Sequence, residues 1–311
     1  MAEPRPLTFS AMVSGGESGT EFIGQVKRIE EIGFTSVSMV DHFNRTFAPV
    51  PALTAAAMAA PSLRVLATVF NNDLRNPVLF AKEMATIDQI SDGRLDIGLG
   101  AGWLERDYLE SGTSYDRPGT RIERLEEAIR IMKRAWSGEE FSFKGEHYTV
   151  KNHRGYPLPV QQLHPPIYIG GGGRRLLSVA GRQADIIGVH VRNGRDWSDD
   201  REDNLRVEIE KKIGWIRDAA GGRFAGIRLA LLVFAARIVT SESERDAEYR
   251  RIAEANNMTI EAAVDSPYYL VGTAGELAHQ FLELQESFGF SHFTIGGRDV
   301  EGFGPVLDEL R

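Results

Sequence analysis

Ser91-Asp92-Gly93-Arg94-Leu95-Asp96-Ile97-Gly98-Leu99-Gly100-Ala101-Gly102-Trp103 is the stretch around which the chain is organised. Ser91, Asp92 and Gly93 form a turn signal. Leu95, Ile97 and Leu99 alternate with smaller or polar residues, which predicts a short strand. Gly98, Gly100 and Gly102 then recur at every second position. Glycine weakens a strand unless a backbone or a ligand must come close. Three of them at one strand end therefore mark a crowded place, with Trp103 at its mouth. In parallel α/β proteins ligands sit at the carboxyl ends of the strands. Residues 100–103 are accordingly expected to form the wall of an active site.

Working outward, the same rhythm of strand and helix repeats. Strands are expected at residues 7–13, 36–40, 64–70, 95–99, 166–169, 185–190, within 228–239, and at 292–295. Between them lie helical patterns. Thr20 is the expected cap of a helix carrying Phe22, Val26, Ile29 and Ile32 on one face, closed by Gly33. Pro77 opens another, and residues 121–136 carry Ile122, Leu125, Ile129, Met132 and Trp136 on one stripe. Thr273 and Glu276 form a capping pair for residues 273–288. Residues 201–212 read as a charged, solvated helix face. Residues 137–165 break the rhythm; they read as an insertion with a hairpin within 141–150, and His147, His153 and His164 in it match no metal-site spacing. Eight strands, each followed by helix, favour a closed (β/α)8 TIM barrel with an insertion around residues 137–165, with an open doubly wound sheet as the alternative. No composition shift divides the chain, so residues 1–311 are expected to be a single barrel domain.

Composition bounds the function. The chain has 311 residues, 42% of them apolar, which suffices for a large core. The net charge of −8, from 36 basic and 44 acidic residues, favours solubility and argues against nucleic acid as partner. There are no cysteines, which excludes disulfides, thiolate metal sites and cysteine nucleophiles. No apolar run reaches the roughly 20 residues that span a bilayer, and residues 1–6 lack a signal-peptide core. A cytoplasmic enzyme acting on a small molecule, with neither membrane nor metal, is the expectation.

Three further places carry residues suited to chemistry. Asp41, His42 and Phe43 follow the second strand, and a histidine there can move a proton near neutral pH. Asn71 and Asn72 follow the third strand; their carboxamides suit a ring edge or a phosphate, and equally a turn. Gly170 to Gly173, with Arg174 and Arg175, lie between the fifth strand and a helix, where bare backbone N–H groups and a cation favour an anion. Neither glycine cluster fits the dinucleotide spacing Gly-x-Gly-x-x-Gly.

The quoted stretch, with Ala85 to Arg94 before it, resembles the bacterial luciferase-like monooxygenase superfamily. Asn76-Pro77, residues 121–136, Pro165-Pro166-Ile167-Tyr168-Ile169 with its glycines, and Val271-Gly272-Thr273 are similar too. The resemblance runs in order along nearly the whole chain. It implies a TIM barrel that binds a flavin or deazaflavin at the carboxyl ends of its strands and commonly pairs into a homodimer. Ser38-Met39-Val40-Asp41-His42-Phe43 and Gly100-Ala101-Gly102-Trp103 look most like the branch that uses coenzyme F420. Carried over, Asp41 contacts the deazaflavin ring and His42 is the catalytic proton donor or acceptor. A cis peptide within Thr68, Val69 and Phe70 backs the ring, with Asn71, Asn72, Gly100, Ala101 and Gly102 beside it. The backbone of Gly171, Gly172 and Gly173, with Arg174, holds the phosphate. Phe43 and Trp103 shape the substrate pocket, and Arg45, Arg175 and Arg192 are the cations nearest to hand for an anionic coenzyme tail. One departure matters: sugar-phosphate dehydrogenases of this branch have a glutamate where this chain has Trp103, which argues against that substrate. The resemblance thus implies an F420-dependent oxidoreductase that passes a hydride between the deazaflavin and a small organic molecule. The alternatives are an FMN-dependent monooxygenase using reduced flavin and oxygen, and a binding barrel without turnover.

Overall fold

The computed structural model describes residues 5–44, 46–192 and 201–311. Eight parallel strands form its centre: β1 (Thr8–Val13), β2 (Ser36–Met39), β3 (Arg64–Ala67), β4 (Leu95–Gly100), β5 (Ile167–Gly171), β6 (Ile186–Val189), β7 (Arg228–Val233) and β8 (Phe290–Ile295). Each pairs with the next in sequence, and β8 pairs with β1. The β3–β4 pairing, Val65 opposite Leu95, completes the ring. That contact removes the open-sheet alternative: a sheet with every strand paired on both sides has no edge.

The two faces of the strands differ in chemistry. Phe9, Val37, Val65, Ile97, Ile169, Ile187, Leu231 and Phe293 face outward and belong to the main core beneath the helices. The inward set, in register round the ring, includes Ser10, Ser36, Ser38, Leu66, Asp96, Gly98, Tyr168, Ile186, Ala230 and His292. Leu66, Tyr168, Ile186 and Ala230 form a second, small apolar cluster there, with Val69 packed on it.

The helices follow where their signals place them. Helix α1 (Gly19–Ile32) buries Phe22, Val26, Ile29 and Ile32 and ends at Gly33 with φ of 102°, a left-handed position that glycine adopts freely. Its cap is Ser18, whose side chain accepts from Glu21 N–H, and not Thr20 as expected. Helices α2 (Pro49–Ala59) and α3 (Pro77–Ile90) each open on proline. A short α4 (Glu105–Ser111) precedes α5 (Pro118–Trp136), which begins three residues before the expected start because Pro118 supplies its first turn. Helix α6 (Arg174–Gln183) follows β5, and α7 (Arg206–Ala220) follows a 3-10 turn, Arg201–Asn204. Helices α8 (Glu242–Asn256) and α9 (Ile260–Asp265) come next. Helix α10 (Ala274–Phe288) carries the full Thr273–Glu276 capping box. The expected third strand is broken: β3 stops at Ala67, the Thr68–Val69 peptide is cis, and pairing resumes at Phe70–Asn71 against Leu99 and Gly100. The 228–239 segment is likewise two pieces, β7 and Ala235–Ile238, the latter paired with Tyr269–Gly272. The insertion contains the expected hairpin, Phe141–Lys144 against Thr149–His153. Glu127 on α5 accepts the N–H groups of Glu146, His147 and Tyr148 and so anchors its turn.

Candidate active site

Gly98, Gly100 and Gly102 stand where a side chain would have no room. A Cβ on Gly98 would overlap the carbonyl of Ala67, and one on Gly100 would lie 2.5 Å from Val69 Cγ2. Both positions are bare because the Thr68–Val69 bulge crosses directly over β4. Gly102 has φ of 71°, and a Cβ there would press on Tyr108 and Asn71. Gly98 therefore meets backbone, Gly100 the Val69 side chain, and Gly102 the side chains of Tyr108 and Asn71.

The bulge is fixed from several directions. Asp41, at the carboxyl end of β2, accepts from the Asn71 N–H at 2.8 Å and takes both ends of the Arg75 guanidinium, Nη2 to Oδ1 at 2.9 Å and Nη1 to Oδ2 at 2.5 Å. Such a two-pronged charged pair is strong and directional. Arg75 also lies over the rings of Phe70 and Phe80. Asn71 accepts from Asp73 N–H and from the Tyr108 hydroxyl, which also lies within reach of Asp73 and of the Ala101 carbonyl. Burial beside Asp73 pushes the Tyr108 hydroxyl's pKa well up, so it stays a donor. Arg124 on α5 clamps Asp73 with two bonds, at 2.9 and 2.6 Å. Asn72 donates to the hydroxyl of Tyr148 in the insertion hairpin at 3.4 Å.

His42 stands next to this framework. Its Nδ1 lies 2.6 Å from Oδ2 of Asp107, whose other oxygen accepts the Phe43 N–H at 3.3 Å. The Trp103 ring meets the His42 imidazole edge-on, with centroids 5.7 Å apart. Phe43 is half exposed and, with Asp41, His42, Arg75, Leu79 and Glu83, lines a cavity of about 490 Å³ between the loops after β2 and β3.

Across the barrel the construction is different. β5 continues into the glycines as far as Gly171. Gly172 is pressed against the His190–Arg192 backbone, where a Cβ would lie 2.5 Å from the His190 carbonyl oxygen. Gly173 caps α6 with no side-chain hydrogen bond and has open space where its Cβ would be, and Arg174 is exposed beside it. The His190–Arg192 segment is held from behind by Lys212. That lysine was expected on a solvated face. It is instead wholly buried, donating to the carbonyls of His190 and Asp203 at 2.9 Å and to Asp203 Oδ2 at 2.5 Å. Burial lowers its pKa, and the Asp203 carboxylate opposes that shift. His190, at the end of β6, faces the lumen with Nε2 3.1 Å from the Tyr168 hydroxyl.

The expected site residues therefore gather at one end of the barrel in two groups: Asp41, His42, Phe43, Thr68–Asn72 and Gly100–Trp103 on one side, Gly171–Arg174 on the other. Of the three expected cations, Arg175 pairs with Glu123 and Arg192 with Asp203, while Arg45 lies outside the described residues. Sequence reasoning missed Arg75, Asp107, Tyr108 and His190. His190 could have been found, since it ends a strand at the carboxyl face. Asp107 and Arg75 pair with residues 65 and 34 positions away, which no local pattern reveals. Among the described residues no group of side chains is placed to hold a metal ion, and no helix is long and apolar enough to cross a membrane.

Known proteins resemble this arrangement at several levels. The FMNH(2)-dependent dimethylsulfone monooxygenase of Pseudomonas putida is 32% identical over 157 residues, 50% of this chain and 42% of that protein. The F420-dependent glucose-6-phosphate dehydrogenase of Intrasporangium calvum is 24% identical over 304 residues, 88% of each chain. Most such alignments span about half of the relative's length. Among solved structures, an F420-dependent secondary alcohol dehydrogenase in complex with an F420-acetone adduct superposes with a TM-score of 0.77 at 19% identity, over 99% of this chain and 100% of that one. The luciferase-like monooxygenase model itself matches residues 6–255, and the chain belongs to that family.

Proposed function

We propose that the chain is an F420-dependent oxidoreductase that moves a hydride between the deazaflavin and a small organic substrate. The observation that carries this reading is the Asp41–His42 pair at the carboxyl end of β2, beside the cis bulge and facing uncapped backbone N–H groups across the barrel. The residues present fit such a coenzyme. Among the described residues the buried Thr68 hydroxyl has no hydrogen-bond partner, as a bulge waiting on a polar ring edge would leave it. Gly173 leaves room above the α6 N-terminus for an anion.

In this reading Thr68, Val69 and the backbone of Phe70 support the ring from below, while Asn71, Asn72, Gly100, Ala101 and Gly102 keep the bulge in place behind it. Asp41, locked to Arg75, sets the loop that presents His42. Gly171, Gly172, Gly173 and Arg174 hold the phosphate. The bound coenzyme supplies the hydride chemistry. The chain's own contribution is orientation, an apolar wall from Phe43 and Trp103, and a proton given or taken by His42. FMN-dependent monooxygenation is the second reading, carried by the 32% identity to the FMNH(2)-dependent relative.

A fluorescence titration with F420 and, in parallel, FMN tests the choice. Micromolar or tighter binding of F420 with weaker FMN binding is the expected result, and the reverse order overturns it in favour of the second reading. His42→Ala is expected to lower turnover by more than about tenfold while coenzyme affinity stays within about threefold. Unchanged turnover would remove His42 from the reaction.

A further inference from the structure

We propose that Asp107 is the positioning residue that fixes the tautomer of His42. The inference rests on the reading of His42 as the proton-handling group, and it names how that group is set. Two acceptor atoms of one carboxylate are divided between two neighbouring donors: Oδ2 lies 2.6 Å from His42 Nδ1, and Oδ1 takes the Phe43 N–H. The carboxylate is nearly solvent-free, with its side chain 5% exposed, and the imidazole is 13% exposed. An ionised carboxylate only accepts, so the proton between them belongs to Nδ1 in the neutral ring. Nε2 then carries the lone pair, the form in which that nitrogen accepts a proton. Trp103, edge-on to the ring, limits its rotation.

Among the described residues, no other charged group is hydrogen-bonded to Nδ1. Asp41 is adjacent in sequence, and its carboxylate is taken up by Arg75 and Asn71. Glu83 and Arg75 line the same cavity as His42, and no hydrogen bond joins either of them to Nδ1. Asp107 also occupies a meaningful place. It follows Trp103 by four residues on α4, the first helix after the strand that opened the reading.

The arrangement makes an unusual demand on the amide variant. In Asp107→Asn the Phe43 N–H claims the amide oxygen. The NH2 group is then turned toward His42 Nδ1, which must accept, and the ring proton moves to Nε2. The tautomer inverts while the side chain's shape is kept.

The test is a two-bond proton–nitrogen correlation spectrum of the full chain labelled with 15N-histidine, at alkaline pH where imidazoles are neutral. His42 is assigned by its disappearance in His42→Gln. The wild-type ring is expected as the Nδ1–H tautomer, and an Nε2–H tautomer there overturns the proposal without any variant having to fold. Asp107→Asn is expected to show Nε2–H and, with the coenzyme that binds, a kcat lowered by more than about tenfold at a KM within about threefold. An unchanged tautomer and kcat in that variant overturn it. The tautomer is read without coenzyme, so a failure of the functional reading, seen as normal turnover in His42→Ala, is distinguishable from a failure of this one.

Discussion

The two sides of the barrel mouth are built on opposite principles. On the side of β2, β3 and β4, side chains do the holding: Asp41 with Arg75, His42 with Asp107, Asp73 with Arg124, and the Tyr108 hydroxyl among three acceptors. On the side of β5 and β6, backbone takes that place: Gly171 to Gly173, of which Gly172 is buried against the His190–Arg192 segment, and the start of α6, which has no side-chain cap among the described residues, with the buried Lys212 behind it. On the first side the charged groups are already paired with one another, and the Thr68 hydroxyl is the buried group left over. On the second, the start of α6 has no side-chain cap among the described residues, and Gly173 leaves room beside it. The function proposed above would use both: side chains that hold a proton-transfer group in place, and backbone N–H groups that receive an anion.

The largest effect that separates the two sides is steric. A single methyl at Gly98 would collide with the Ala67 carbonyl, and the strands around it are fully buried. Gly98→Ala is expected to cost more than about 3 kcal/mol or to prevent folding. The same methyl at Gly173 meets nothing within 4 Å. Gly173→Ala is expected to cost less than about 0.5 kcal/mol. Thermal unfolding of the two variants side by side checks this, and equal losses would break the distinction between a glycine closed in by backbone and one beside open space.

Next comes the charge pair. Arg75→Ala leaves the buried Asp41 carboxylate with the Asn71 N–H alone. An uncompensated buried charge of this kind costs about 3 kcal/mol. Asp41→Asn combined with Arg75→Ala is expected to be less damaging than Arg75→Ala by itself, because no charge is then stranded. If the single variant unfolds no more readily than wild type, the β2–β3 side is not held by this pair.

This contrast also explains what could be read beforehand. The barrel was legible because its outward faces obey local rules: apolar residues alternate along β1, β4 and β8, and α1 and α5 repeat theirs at helical spacing. The glycines were legible as a crowded place, and Asp41, His42 and the Gly171–Gly173 loop as strand-end residues. What stayed hidden is pairing across the chain. Lys212 lies in a charged run, and nothing local says that one of its charges turns inward to Asp203. Arg75 and Asp107 acquire meaning only when the ring closes and brings loops from different strands together. The same limit applies to Ser18, which took the cap from Thr20 by a two-residue margin that tertiary packing decides.

The smallest expected effect concerns acid, and it falls on the backbone-built side. Burial, with Lys212 adding a weaker push, lowers the pKa of His190 to about 4, against about 6.5 in an unfolded chain. The Tyr168 hydroxyl, whose pKa burial pushes well up, keeps its proton and can donate it to the neutral ring. Between pH 6.5 and 4 the unfolded chain therefore binds a proton that the folded one refuses, so stability falls as pH falls through that window and levels off below it. His292, buried on β8 with Nδ1 2.9 Å from the Thr8 hydroxyl and its pKa also lowered to about 4, adds a loss of the same sign. His190 is only half buried at the mouth, so its share at pH 5 is expected to be about 1 kcal/mol after allowing for solvent. Denaturant unfolding of wild type and His190→Gln at pH 7.5 and pH 5 isolates it: the variant should lose less stability on acidification by about that amount. A His190 that is protonated without cost would instead mean that the β5–β6 side relaxes around the charge, and that its openness extends down to Tyr168 and not only to the glycine loop.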